Sequence, residues 1–146
     1  LFRSAYNIPS ATGVELTVDM IDELAKHPNI AGLKDTADFE HTCKVLCHTR
    51  GNDSFGVFQG MENCILPALL AGAEGGFAIL MNLLPKEYHD MYQAAKEGRW
   101  SDAAAINIKM SNLYQMMEKA LMYGKTSRQN TKKRFSFLNQ MVKPLL

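Results

Sequence analysis

Asn29-Ile-Ala-Gly-Leu-Lys-Asp-Thr36 is the stretch of this chain that decides its fold. It is a short apolar run, typical of a strand buried in a parallel sheet, and it ends on the charged residue Lys34. Packing explains a lysine there poorly. Desolvation, however, lowers the pKa of an ammonium and yields a neutral amine that can attack a ketone. The stretch therefore predicts a strand, Ile30 to Lys34, that ends in a nucleophile.

Strand and helix patterns alternate on both sides of this run. The other predicted strands are Phe2 to Ile8, Phe55 to Gln59 and Phe77 to Met81. Strands that alternate with helices form the repeating unit of α/β folds, and this spacing fits either a β/α barrel or a doubly wound sheet. We therefore predict four β/α units over residues 1–100, followed by a helical region with a basic tail over residues 101–146.

Capping residues and helix breakers set the predicted helix boundaries. Thr17 and Asp38 are predicted N-caps of the first two helices, and Ser101 is the predicted N-cap of the last. Pro85 is predicted in the first turn of a helix that ends near Gly98, and Gly124 is expected just past the final helix. Pro9 to Gly13 is predicted to be a loop, and a further helix is predicted from Asn63 to Leu70.

Composition sets broad limits on the class of protein. A length of 146 residues with 47% hydrophobic content suits one globular domain, and a net charge of +1 argues against a nucleic-acid partner. No run approaches the roughly twenty apolar residues of a membrane span. Three cysteines cannot all pair with one another, which favours reduced thiols and a cytoplasmic protein. Because the chain begins with Leu1, we expect it to be a fragment.

The ends of the predicted strands suggest where chemistry takes place. Tyr6 and Lys34 both lie near the carboxyl end of a strand, which is the side that carries the catalytic groups in β/α barrels. A phenol beside the lysine nitrogen would exchange protons with a carbinolamine that forms there. We therefore expect the two side chains to share one mouth of the sheet.

Four ordered motifs resemble the dihydrodipicolinate synthase and N-acetylneuraminate lyase family of class I, pyruvate-dependent aldolases. They are Tyr6-Asn-Ile-Pro-Ser-Ala-Thr-Gly13, Gly32-Leu-Lys-Asp-Thr36, Phe58-Gln-Gly60 and Gly75-Gly-Phe-Ala-Ile-Leu-Met-Asn82. The resemblance covers about residues 1–122, and the separation of tyrosine from lysine is also the family's.

This resemblance implies a (β/α)8 TIM barrel, of which the chain carries units five to eight, and a homo-oligomer that also needs the N-terminal half barrel. Lys34 would be the nucleophile and Tyr6 the general acid/base. Gly60 and Phe77 would line the pyruvyl site, and Ala11 and Thr12 would lie at the substrate. The substrate would be a 2-keto acid held as an imine through Lys34, with no metal and no organic cofactor.

One departure from the family pattern bears on the substrate. The synthase branch usually has arginine at the position of Ala11, where it holds a substrate carboxylate, and a methyl group cannot make that contact. Together with Asp35-Thr36, this favours a 2-keto-3-deoxy sugar acid aldolase or an N-acetylneuraminate lyase-like enzyme. The alternative is dihydrodipicolinate synthase proper, the enzyme of lysine biosynthesis.

Competing interpretations remain open at this point. Lys34 taken alone would be read as a surface lysine after a strand. His41, Cys43, Cys47 and His48 suggest a metal site only weakly, because buried cysteines usually behave as small hydrophobes. A different class of function is a half barrel without chemistry, since four β/α units leave two sheet edges unpaired and favour aggregation or assembly with another half.

Overall fold

A four-stranded parallel sheet organises this protein, which a computed structural model describes over residues 2–125. The strands are β1 (Arg3–Asn7), β2 (Ile30–Asp35), β3 (Gly56–Gln59) and β4 (Gly75–Gly76). They lie side by side in the order β1-β2-β3-β4, and every neighbouring pair is parallel. The predicted α/β class is therefore confirmed.

Helices connect and follow the strands. They are α1 (Pro9–Thr12), α2 (Val18–Ala25), α3 (Phe39–His48), α4 (Ile65–Ala71), α5 (Pro85–Lys96) and α6 (Trp100–Lys125), with 3-10 turns at Glu62–Cys64 and Leu80–Asn82. The chain divides into two compact units after Ile108, and the sheet belongs to the first. No helix in residues 2–125 is both long and apolar enough to cross a bilayer.

Two predicted N-caps are confirmed by their hydrogen bonds. Thr17 Oγ1 accepts from the Met20 amide at 3.3 Å, and Asp38 Oδ1 accepts from the His41 amide at 2.8 Å. Each bond satisfies one of the amides that a helix leaves free in its first turn. These caps fix where α2 and α3 begin, and so fix the length of the loops that enter them from β1 and β2.

The predicted fourth strand, Phe77 to Met81, is wrong. The strand consists of Gly75 and Gly76, which pair with Phe58 and Gln59. The amide of Phe77 still donates to the carbonyl of Gln59 at 2.9 Å, but β3 ends at Gln59 and offers no further partner. The apolar run therefore leaves the sheet at Phe77, which is half exposed, and continues into the 3-10 turn Leu80–Asn82.

Three other boundaries also differ from the prediction. The Ala103 amide bonds to the carbonyl of Arg99, so α6 begins before Ser101, which cannot be its N-cap. α6 continues through Gly124. The predicted loop Pro9 to Gly13 is the single turn α1, closed by Gly13 at φ +71. The predicted basic tail lies almost entirely outside the described residues.

The apolar core lies between the sheet and the helices α2, α3 and α4. Its buried members are Ile21, Leu33, Val45, Leu46, Phe55, Val57, Ala68 and Ala73. The sheet can pack closely because β2 carries Gly32, where a Cβ atom would lie 2.3 Å from the carbonyl oxygen of Gly56. This close approach brings β2 and β3 together below the strand ends that carry the polar residues.

Candidate active site

The carboxyl ends of β1 and β2 bring Tyr6 and Lys34 together. The two residues are direct partners in the parallel register, so their side chains leave the sheet on the same face. Lys34 Nζ donates a hydrogen bond to the Tyr6 hydroxyl at 3.0 Å and lies 4.2 Å from the centroid of its ring. The sequence-based expectation that these side chains share one mouth agrees with this geometry.

The electrostatics of the pair act on the phenol. The hydrogen bond from Lys34 is the largest influence, and it lowers the pKa of Tyr6 below its ordinary value against a smaller opposing effect of burial. The Thr36 hydroxyl acts in the same direction. Its oxygen is buried and has no partner at good hydrogen-bond geometry among the described residues, so its contact with the phenol is a weak one. A phenol with a lowered pKa releases its proton more readily to a neighbouring base.

Two further predicted residues follow the next two strands. Gly60 comes directly after β3, and its amide donates to the carbonyl of Asp35 at 2.7 Å. A Cβ atom at Gly60 would lie 2.1 Å from Thr36 Oγ1, so only glycine fits beside this hydroxyl. Phe77 follows β4, and its ring centroid is 5.9 Å from Lys34 Nζ. These residues extend the mouth across all four strand ends.

 The remaining two predicted substrate residues, Ala11 and Thr12, lie in α1, the turn that follows β1, and are exposed. The Thr12 hydroxyl lies 2.9 Å from the carbonyl oxygen of Val14 and 3.1 Å from that of Ile8, so its hydrogen bonds stabilise the turn in which it lies. The structure does not join Thr12 to the Lys34–Tyr6 pair, and the substrate-binding roles of Ala11 and Thr12 stay predictions.

The helix-facing side of the same strand ends holds a polar cluster that the sequence analysis missed. Its centre is Asp35, which is fully buried and whose carboxylate is 2.9 Å from Asn7 Nδ2, 2.9 Å from His41 Nδ1 and 2.8 Å from Thr42 Oγ1. Gln59 Nε2 donates to Thr42 Oγ1 at 3.0 Å. We call Asn7, Asp35, His41, Thr42 and Gln59 the buried polar cluster.

A signal for this cluster was present in the sequence. Asn7 and Asp35 directly follow Tyr6 and Lys34, and alternate residues of a strand face opposite sides of the sheet. Two polar residues on the side that packs against helices must find hydrogen-bond partners there. Asp35 finds one of these partners in His41, whose Nδ1 atom is thereby engaged in a hydrogen bond. Within residues 2–125, no group of three metal-ligating side chains is arranged to hold an ion.

Comparisons with known proteins agree on one family. The model of the dihydrodipicolinate synthetase family matches residues 4–129. A 4-hydroxy-tetrahydrodipicolinate synthase from Methanospirillum hungatei JF-1 is 39% identical over 113 residues, which cover 77% of this chain and 38% of that protein.

Solved structures show the same fold. A dihydrodipicolinate synthase from Bacteroides thetaiotaomicron matches at 26% identity with a TM-score of 0.73, covering 99% of this chain and 47% of that one. A prophage protein from E. coli K12, of the dihydrodipicolinic acid synthase family and solved with pyruvate, matches at 22% identity with a TM-score of 0.80, covering 99% and 56%. The chain thus spans about half the length of these solved chains and less of the curated relative.

Proposed function

Because this chain belongs to the dihydrodipicolinate synthetase family, we propose that Lys34 is the nucleophile of a Schiff-base lyase that acts on pyruvate or a related 2-keto acid. One observation carries the proposal. Lys34 Nζ lies 3.0 Å from the Tyr6 hydroxyl at the paired ends of two parallel strands. An amine and a proton-transfer group in direct contact are what imine formation requires.

The proposed reaction begins when the neutral amine of Lys34 attacks the keto carbon. The carbinolamine that results loses water, and the imine then conjugates towards the substrate carboxylate. When a C3 proton is lost or the C3–C4 bond is cleaved, the electron pair left on C3 moves into the protonated imine, which thereby becomes an enamine. Tyr6 delivers the proton that departs with water and accepts the proton of the aldol step. Phe77 and Gly60 would line the site beside this nitrogen.

Reductive trapping tests the proposal. The chain is incubated with pyruvate and borohydride, weighed intact, and then digested for peptide mapping. We expect a permanent adduct of one reduced pyruvyl group on Lys34. An adduct spread over exposed lysines such as Lys26 and Lys86, or a folded chain that stays unmodified, would contradict the role of Lys34 and favour a half barrel without chemistry.

Replacing Tyr6 with phenylalanine removes the proposed proton relay. We expect adduct formation to slow by about 10²- to 10⁴-fold, the usual range for one general acid/base group. Because Lys34 lowers the pKa of Tyr6, the pH–rate profile of the unchanged chain should show a limb below the pKa of free tyrosine, and the variant should lose it. Trapping rates measured across pH check both points.

Tyr92 supplies the matched control for this substitution. It also lies near a lysine, since Lys96 Nζ is 5.6 Å from its ring centroid, but on helix α5. Tyr92→Phe should leave the trapping rate and the pH profile unchanged. Equal slowing in both variants would mean that the effect comes from loss of stability and not from a relay.

The choice between branches of the family rests on two opposing observations. The relatives from Methanospirillum hungatei and Bacteroides thetaiotaomicron carry synthase names, and on that ground we favour the synthase reaction, the condensation of pyruvate with an aldehyde. Ala11, where that branch usually has arginine, instead favours cleavage of 2-keto-3-deoxy sugar acids. The sugar-acid reaction therefore remains the second candidate.

Substitution of Ala11 with arginine separates these branches. Position 11 is exposed in α1, so the longer side chain has room. For a carboxylate-bearing aldehyde, a new charge-assisted contact is worth about 1.5 to 3 kcal/mol and should raise kcat/KM roughly 10- to 100-fold. Turnover of a 2-keto-3-deoxy sugar acid should not rise. Both substrates are measured with the unchanged and substituted chains, each supplied with the N-terminal half barrel that full turnover is expected to need. The comparison shows which branch the site resembles, and no change for either substrate would remove position 11 from the substrate site.

We further propose that the four strands are the second half of an eight-stranded barrel. The paired strand order and the partial coverage of full-length relatives support this assignment. The other half would close the sheet and complete the mouth around Lys34. Full turnover is therefore expected to need that half, supplied on the same chain or as a partner, whereas imine formation depends first on Lys34 and Tyr6.

A further inference from the structure

His41 contacts two hydrogen-bond acceptors at once. It lies in the first turn of α3 and is 9% exposed. Its Nδ1 atom is 2.9 Å from a carboxylate oxygen of Asp35, and its Nε2 atom is 2.9 Å from the carbonyl oxygen of Leu16. A carbonyl can only accept, so Nε2 must carry a proton. Whether Nδ1 also carries one depends on Asp35.

The surroundings of Asp35 place that second proton on His41. Oδ1 of Asp35 accepts from Asn7 Nδ2 at 2.9 Å and from the Ala37 amide at 3.2 Å. Oδ2 accepts from Thr42 Oγ1, whose own proton is available because Gln59 Nε2 donates to that oxygen. Three donors besides His41 therefore face the carboxyl group, which is the arrangement of an ionised carboxylate. The ring of His41 then donates from both nitrogens and is cationic.

The electrostatic setting agrees with a cation. Burial by itself lowers the pKa of His41, but the hydrogen bond and charge of Asp35, with smaller help from the Leu16 carbonyl and Glu15, outweigh it and raise the pKa above the ordinary value. The charged groups that act on the ring are thus Asp35 on β2 and Glu15 in the segment before α2, and both are acidic.

His41 links β2 to the segment between α1 and α2. The Leu16 carbonyl accepts from His41, and the Leu16 amide donates to Asn7 Oδ1 at 3.0 Å. Both backbone groups of Leu16 are therefore held by the buried polar cluster. Asn7 and Asp35 are register partners one step beyond Tyr6 and Lys34. The cluster thus fixes, from the helix side, the same two strand ends that present the phenol and the amine on the other side.

We infer that His41, as an imidazolium, is a positioning residue that holds the ends of β1 and β2 and the Leu16 segment so that Tyr6 meets Lys34. The inference rests on the proposed function for its catalytic meaning. A neutral ring would leave one nitrogen without a proton facing an acceptor at 2.9 Å. One of the two links would then be lost, and the Lys34–Tyr6 contact would loosen without any change in the residues that react.

Nitrogen-15 NMR of the unchanged chain tests the charge of His41 directly. We expect both ring nitrogens of His41 to be protonated at pH 7, with the exposed His89 as an internal reference. The link to the Leu16 carbonyl should appear as slow exchange of the His41 Nε2 proton with solvent. A neutral tautomer of His41 at pH 7 overturns the inference, and this measurement needs no variant.

His41→Gln tests the positioning role, with His48→Gln as the matched control. Both histidines lie on α3, but His48 is exposed, and its Nδ1 atom is 3.8 Å from an Asp22 carboxylate oxygen, which is too far for a good hydrogen bond. Glutamine cannot reach Asp35 and Leu16 together. We expect the pKa of Tyr6, followed by carbon-13 NMR, to return towards its ordinary value in His41→Gln, because the Lys34 contact that lowers it is loosened. His48→Gln should leave the pKa of Tyr6 unchanged.

Borohydride trapping then tests whether His41, on the helix side of the sheet, affects the reaction of Lys34 on the other side. His41→Gln should trap pyruvate about 10- to 100-fold more slowly at pH 7, the scale of a displaced reacting group. In the unchanged chain, trapping should fall off as pH rises through the His41 titration seen by NMR, and the variant should lack this limb. A variant with the unchanged Tyr6 pKa and trapping rate overturns the inference. If the unchanged chain forms no adduct, the proposed function fails instead, and the Tyr6 pKa still decides whether His41 sets the contact.

Discussion

Replacing Lys34 with arginine should abolish the covalent pyruvate adduct. Arginine keeps the positive charge and the donors that face the Tyr6 hydroxyl, but its guanidinium stays protonated in proteins and does not form an imine. The fold should therefore survive while the chemistry is lost. We expect trapping to fall by on the order of 10⁴-fold or more, as for removal of other nucleophiles. Intact mass and peptide mapping after borohydride treatment measure the effect.

Lys96→Arg is the control for this substitution. Lys96 also lies beside a tyrosine ring, but on α5 and exposed to solvent, and its replacement should leave the adduct unchanged. Circular dichroism and urea midpoints should match among the three chains. If the Lys34→Arg chain still yields the adduct at the original rate, another residue must be the nucleophile, and the proposed function loses its basis.

Replacing Asp35 with alanine should have the largest effect on stability. The carboxylate is fully buried and faces four donors, which come from Asn7, Ala37, His41 and Thr42. Its loss leaves a buried cation without a counter-charge. Removing one partner of a buried ion pair costs about 3 to 5 kcal/mol. We expect urea unfolding at pH 7 to show a loss in this range, which is a large part of the stability of a small domain.

Two comparisons make the Asp35 result interpretable. Asp53→Ala changes an exposed aspartate in a turn and should alter the unfolding free energy by less than about 0.5 kcal/mol. Because the pKa of His41 is raised in the folded chain, the stability that His41 contributes should be fully present below about pH 6.5 and fade as pH rises through the raised value. A loss under about 1 kcal/mol for Asp35→Ala would contradict a central role for the carboxylate.

The placement of the candidate site residues was predictable from sequence where simple rules act on it. Lys34 and Tyr6 end apolar runs of neighbouring units, and parallel strands place such ends together. Thr17 and Asp38 began their helices as predicted because a cap acts within one turn. The two caps need only the chain near each residue, whereas the meeting of Lys34 and Tyr6 also needed the expectation that their strands pair in parallel.

Two features set by distant partners were not predicted. The strand expected from Phe77 to Met81 failed because the length of β3 decides where pairing stops, and an apolar run contains no information on its partner's length. His41 was weighed as a weak metal ligand because its contacts, Asp35 and the Leu16 carbonyl, come from elements six and twenty-five positions away. Only the assembled layers show that these acceptors meet one ring.

The two-sided pairing of β1 and β2 restricts how this family member can change in length. Inserting or deleting one residue inside either strand reverses the side on which every later side chain emerges. The amine would then be driven among the helices while a carboxylate pointed into the mouth, so the error could not be absorbed by small adjustments. Length variation between Tyr6 and Lys34 must therefore fall outside the two strands. Leu16 and Ile21 are held by the buried polar cluster and the core, so the exposed turn at residues 26–29 is the tolerant place for tags, labels or loop grafts.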